Sequence, residues 1–218
     1  MAFRHTSQHI VGSLFVLAVG LGLSAAVTAQ DAAAPMTLAS ARVSLSGTSN
    51  VHAYTASTSA VRVTRLQVAK EAIGANFWDG VVKPNAIEAF EIAIAAATLT
   101  SPREGLDKNM HKALKVAEHP DITFRLLRLE PGAGAQGALR GAGLLRIAGV
   151  EREVALDLTT ERKEGALAVR GTLPMLMTDY GIKPPVAMLG MLKTDPKVTV
   201  SFETLLALPA SPTTSTIH

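Results

Sequence analysis

Three imidazoles, His52, His111 and His119, are the side chains of this chain best suited to chemistry. Brought together by a fold, they would hold zinc with one position left open, as hydrolytic metal centres do. Their spacing does not favour it. No His-x-x-x-His pair shares a helix face, and His111 and His119 stand eight apart just ahead of Pro120. His111 adjoins Lys112 on the polar side of a helical pattern, which reads as solvent exposure, and a hydrogen-bonded strand histidine accounts for His52. His218 sits in a Ser/Thr/Pro tail, and His5 and His9 lie in an export segment. A histidine-metal enzyme is therefore the weakest reading, and no metal ligand is assigned.

Other reaction chemistry finds less support. The sequence has no cysteine, which removes disulfides, thiolate metal sites, thiol nucleophiles and a lipidated N-terminal cysteine. Serine, aspartate and histidine are present without a Gly-x-Ser-x-Gly turn to expose a nucleophile. Glu151 and Glu153 alternate on the polar face of a hairpin, where acids serve solubility. The run EPGAGAQG (Glu130 to Gly137) lacks both the Gly-Lys-Ser/Thr ending and the strand-to-helix setting of a phosphate loop. No catalytic residue and no required cofactor follow, and the chain reads as a non-enzyme.

Charge excludes another class of partner. The 218 residues carry 21 Lys and Arg against 18 Asp and Glu, for a net charge of +3. The basic residues are scattered singly and aromatics make up 4%. Nucleic acids need a basic stripe or a stacking platform, so no nucleic-acid partner is expected.

The ends of the chain read differently from its middle. A basic start at Arg4 leads into an uncharged stretch from Ile10 to Leu23 and a small-residue finish at Val27, Thr28 and Ala29. That is a signal peptide over residues 1–29, cleaved after Ala29, with an uncleaved anchor helix as the alternative. The mature protein is then periplasmic or secreted. Residues 30–39 read as a flexible lead-in, residues 40–208 as one domain, and residues 209–218 as a disordered tail with nothing to bury.

Strand alternation dominates the domain. Val154, Leu156 and Leu158 alternate with Glu153, Asp157 and Thr159, and Val198, Val200 and Phe202 alternate with Lys197, Thr199, Ser201 and Glu203. Such spacing puts the apolar set on one face of a sheet and the polar set on the other. Leu167, Val169, Leu173 and Met175 continue the pattern, as do Phe90, Ile92 and Ile94, then Ile122, Phe124 and Leu126, then Leu145 and Ile147 after a glycine-bearing start at Leu139. Val61 and Val63 change phase before Leu66 and Val68, which predicts a bulge. Turn residues separate these runs at Gly149, Glu130 to Gly137 and Lys163 to Gly165. With an N-terminal strand around Arg42 to Thr48 the count is about eight. Pattern alone leaves barrel and sandwich open.

One stretch has the other period. Leu106, Met110, Ala113, Leu114 and Ala117 fall three or four apart, with Asp107 early and Lys112 and Lys115 late. This predicts a single short amphipathic helix running on to His119, whose backbone Pro120 pushes out of the helical region.

Four segments together resemble a known family: GTSNVHAYTA (Gly47 to Ala56), LDKNMHKALKVAEHPDITFRL (Leu106 to Leu126), GLLRIAGVEREVALDL (Gly143 to Leu158) and LPMLMTDYGIKPPVAMLGMLKTDPKVTVSFETLL (Leu173 to Leu206). Their order and spacing are similar to the YceI-like family, as a divergent member, over roughly Ser40 to Leu208. The resemblance implies an all-β fold, an eight-stranded antiparallel lipocalin-like barrel with one short helix. It also implies an exported protein holding a polyisoprenoid or isoprenoid quinone in the lumen. The lumen is then formed by Val61, Val63, Phe90, Ile92, Ile94, Ile122, Phe124, Leu126, Leu145, Ile147, Val154, Leu156, Leu158, Leu167, Val169, Leu173, Met175, Val198, Val200 and Phe202. Gly141, Gly143 and Gly171 leave room inside it. Phe77, Trp78, Tyr180, Met188, Leu189 and Met191, large apolar groups in loops, are expected at its mouth with Lys183 facing a head group.

The expected function is carriage or sequestration of a long apolar lipid, isoprenoid quinone or polyprenyl, with transient membrane contact. The alternative class is a structural or adhesive β domain with a filled core. Oligomeric state is not legible in the chain.

Overall fold

A computed structural model of the chain describes residues 35–134, 136–187 and 191–209. Each alternating run of the sequence falls within a strand: β1 (Thr37–Ser49), β3 (Val61–Val68), β4 (Ile87–Ala95), β5 (Asp121–Pro131), β6 (Ala138–Ile147), β7 (Val150–Lys163), β8 (Ala166–Leu176) and β10 (Leu192–Ala207). Two more were not anticipated, β2 (Ala53–Thr58) and the two-residue β9 (Val186–Ala187). The inward side of β2 is Ala56 and Thr58, both buried. Small and hydroxylic residues leave no apolar alternation to read. Strand β1 begins inside the expected lead-in, with Met36 just before it 1% exposed.

The strands form one antiparallel sheet in the order β2-β1-β10-β8-β7-β6-β5-β4-β3, with β9 paired to β10. The sheet curls strongly but is not the closed eight-stranded barrel that was expected. Strands β2 and β3 are its two edges and do not pair with each other. The reason lies in the two residues between them. Val61 N donates to Ser59 O, a tight turn that carries β3 away from β2, and the free edge of β2 is met instead by a bridge between Ser57 and Thr100. Beside that bridge the hydroxyls of Thr58 and Thr98 lie 2.6 Å apart. Within β3 the register shifts between Val63 and Arg65, the bulge expected from the phase change.

Among the described residues two α-helices stand where one was expected: α1 (Phe77–Val81) and α2 (Glu104–Ala113). Helix α2 ends well short of His119. Lys115 adopts a φ of 53° and its carbonyl accepts from His119 N at 2.8 Å, so a left-handed turn stops the helix before proline can. The hairpin from β6 to β7 turns on Ala148 and Gly149, both at positive φ, as a two-residue turn matched to strand twist requires.

Two apolar clusters fill the curled sheet from its two ends. One joins Met110 and Leu114 of the helical connection with Ile147, Met177, Tyr180, Ile182 and Val198. The other joins Met36, Phe77, Trp78, Val81 and Leu167. Leu167 lies at the start of β8 and Tyr180 beyond its end, so the two named sets mark opposite ends of that strand, while the first cluster continues between them through Leu139, Leu145, Leu156, Leu158 and Leu173.

Candidate functional site

Within this interior, walled by members of both clusters, lies a cavity of about 190 Å³. Its wall alternates in from nearly every long strand: Val43 of β1, Ile92 of β4, Phe124 of β5, Leu156 of β7, Leu173 of β8 and Val200 of β10. Among the described residues its lining carries no charge, and the hydroxyls of Thr160 and Thr204 are its only polar side-chain atoms. Such a space excludes ionised groups and favours hydrocarbon. Among the described residues it presents no ionisable acid or base to a bound molecule.

Most of the lumen residues read from the sequence line this cavity. Val61, Phe90, Ile92 and Ile94 do so from β3 and β4, Phe124, Leu126 and Leu145 from β5 and β6, and Val154, Leu156 and Leu158 from β7. Leu167, Val169 and Leu173 line it from β8, and Val200 and Phe202 from β10. Four others do not: Ile147 and Val198 are buried in the first cluster without reaching the cavity, and Ile122 and Met175 pack against that cluster. They are inward residues, but the descending α2 segment and the turn Met177–Tyr180 occupy that end of the sheet. Val63 lines an adjoining cleft instead. Met36, Leu38, Leu129, Leu139 and Leu206 line the cavity and were missed. Of these, Leu139 and Leu206 continued visible alternations, whereas Met36 and Leu38 stood in a stretch without one.

The inward glycines do not leave the empty space expected of them. A Cβ on Gly171 would stand 2.5 Å from Phe202 Cζ, and one on Gly143 would overlap the Phe124 ring and approach Arg125 O at 2.6 Å. The rings fill what the glycines vacate, lying back against the sheet. Gly141 faces only Leu158, Leu126 and Leu129 at ordinary contact.

The mouth expected from the loops is not one place. Phe77 and Trp78 are buried, edge to face with ring centroids 5.0 Å apart, and stop one end of the sheet. Tyr180 is buried at the other end, and Lys183 and Met191 are exposed there. Asn50 ties that end together: its Nδ2 donates to Met191 O and its Oδ1 accepts from Lys193 N, both at 2.8 Å. Met188 and Leu189 lie outside the described residues. The buried Trp78 Nε1 and Tyr180 hydroxyl have no hydrogen-bond partner among the described residues. Burial pushes the Tyr180 pKa up, the Asp179 charge adds to the rise, and Arg152 opposes it.

The cleft, of about 410 Å³, runs between the start of β1 and β3. Met36, Leu38, Val61, Phe90 and Leu206 line both it and the cavity. Thr37, Thr64 and Arg65 line only the cleft. A larger hollow of about 1080 Å³ crosses the polar face of the sheet, where Arg170 pairs with Glu203 at 2.7 Å and with Glu161 at 3.1 Å. Arg140 pairs with Asp157 at 3.5 Å in the same hollow, and these charges are exposed.

The three histidines go to three places. His52 Nε2 meets Arg103 at 2.6 Å, His111 Nε2 meets Leu99 O at 2.7 Å, and the His119 ring lies against Gly149. Among the described residues no group of His, Asp and Glu is arranged to hold a metal.

A family model described as the YceI-like domain matches residues 28–206 of the chain. The chain is similar in fold to BcnA of Burkholderia cenocepacia, with a TM-score of 0.59 at 15% identity, over 77% of this chain and 96% of that one. It is likewise similar to a polyisoprenoid binding domain from Saccharophagus degradans implicated in plant cell wall breakdown. There the TM-score is 0.58 at 13% identity, over 81% of this chain and 99% of that one. No curated protein sequence matches the chain.

Proposed function

Because the chain belongs to the YceI-like family, we propose that it is a binding protein without a catalytic step, which holds the chain of a polyisoprenoid or isoprenoid quinone in its apolar cavity. The observation that carries this reading is a buried space with only two threonine hydroxyls among its polar side-chain atoms. The fold-level likeness to a polyisoprenoid binding domain supports it. The uncharged segment from Ile10 to Leu23 and the small residues Val27, Thr28 and Ala29 support export with cleavage after Ala29. Carriage of a membrane lipid through an aqueous compartment is the corresponding role.

Energetics suit such a ligand. At about 0.8 kcal/mol per buried CH₂, one five-carbon unit contributes roughly 3 to 4 kcal/mol before the cost of ordering the chain. Size sets a limit on how much is enclosed. An apolar cavity of about 150 Å³ admits benzene, so 190 Å³ encloses a segment on the order of one isoprene unit. The rest of a longer chain must lie in the adjoining cleft or displace side chains. This small volume is also the observation that favours the second reading, a structural domain whose core is essentially filled.

Native mass spectrometry of the protein purified without detergent and incubated with geranylgeraniol separates the readings. A retained prenol mass is expected. Bare protein supports the filled core, and a bound metal mass would reopen the enzyme reading.

A further inference from the structure

The curled sheet has a seam. Strand β1 is paired to β10 along its whole length, but its other edge meets β2 only from Val43 onward. Strand β3 pairs with β4 alone. Among the described residues, therefore, no ladder joins the first part of β1 (37–42) to β3. The cleft lies along this gap and shares five wall residues with the internal cavity.

We propose that the ligand enters and leaves sideways, between β1 and β3, and that Thr37, Thr64 and Arg65 form a subsite for its oxygen-bearing head group. This rests on the lipid-binding reading and adds the route and the orientation to it. Three observations converge. Both ends of the sheet are stopped, one by Phe77, Trp78 and Val81 and the other by Met110, Leu114 and Tyr180. No backbone hydrogen bond spans the seam, so parting β1 from β3 costs only side-chain contacts, whereas parting any two strands adjacent in the sheet order breaks a ladder. Polarity is graded along the route, from a cavity without charge to a cleft with two threonines and Arg65.

The bulge explains how β3 builds the subsite. Regular alternation would send Val63 and Arg65 to one face and Thr64 to the other. The register shift between Val63 and Arg65 breaks that rule, and all three consecutive residues line the cleft. Arg65 is held by Gln67 Oε1 at 2.9 Å and lies 3.7 Å from Glu91, leaving guanidinium donors for a ligand oxygen.

Stopped-flow fluorescence with cis-parinaric acid, a single-chain fluorescent acid, tests the route. Val63→Trp fills the cleft from a position that does not line the cavity. It is expected to slow both association and release at least tenfold, whatever its effect on the equilibrium Kd. The native chain has no cysteine, so a Thr37→Cys/Thr64→Cys pair can be bridged uniquely by a short reducible bifunctional thiol reagent. Bridged protein is expected to take up probe at least tenfold more slowly, with the rate restored on reduction. Unchanged rates in Val63→Trp or in the bridged protein would overturn the lateral route while leaving lipid binding intact. A wild type that binds no probe at all would overturn the binding reading, and the route with it.

Discussion

The Phe202 ring occupies the space that a side chain on Gly171 would need, with Cζ 2.5 Å from where its Cβ would stand. The two residues face each other across β8 and β10. Glycine here does not create a void directly. It lets an aromatic ring recline into the wall, and the ring's withdrawal leaves the centre of the lumen open.

Gly171→Ala should therefore push the Phe202 ring inward. The atoms it meets are side-chain atoms of Phe202 and Leu158, so the sheet should survive at a cost of about 1–2 kcal/mol from overpacking. The expected readout is loss of retained geranylgeraniol in native mass spectrometry by a protein that still unfolds cooperatively. Undiminished retention would show that the ring does not set capacity.

Phe202→Ala is the converse. Fully buried Phe→Ala changes cost about 3–5 kcal/mol. Phe202 is only partly buried, so a loss of about 2–3 kcal/mol is expected in urea denaturation. The enlarged cavity should retain more prenol than wild type.

Gly149 sits at a φ of 84° with the His119 ring 2.5 Å from where its Cβ would be. Gly149→Ala combines left-handed strain with that overlap, and a loss of about 2 kcal/mol or more is expected. His119→Ala in the same chain should recover the part due to overlap, a coupling that a double-mutant cycle measures directly.

Tyr180 is 3% exposed and its hydroxyl has no partner among the described residues. Tyr180→Phe should be neutral or stabilising by about 1 kcal/mol at neutral pH, since it removes a buried unsatisfied group. Burial raises the folded pKa above the ordinary 10.0. The stability tied to the neutral phenol is thus fully present below pH 10 and is lost as pH rises through the raised folded value. Thermal melts should accordingly show a shallower alkaline loss in Tyr180→Phe than in wild type.

What was legible in the sequence follows from side-chain size. Runs such as Val154, Leu156 and Leu158 announce both a strand and its inner face, and most inner faces were read correctly. Strand β2 escaped because its buried side is Ala56 and Thr58. The end of α2 escaped because Lys115 in a left-handed turn has no side-chain signature. Closure of the sheet was misjudged because eight alternating strands say nothing about whether the two edges meet. That depends on backbone bonds around Ser59 and Thr100. The mouth was misjudged for a related reason. Trp78 and Tyr180 look alike as loop aromatics, and only the fold shows that they stop opposite ends.

The most direct test of a hydrocarbon-holding lumen is displacement of cis-parinaric acid by geraniol, farnesol and geranylgeraniol, each below its aggregation limit. Burial of successive five-carbon units should tighten Kd at least tenfold per unit, about 1.4 kcal/mol after the ordering cost. A Kd that stays flat across the three prenols, or no displacement by any of them, would contradict it.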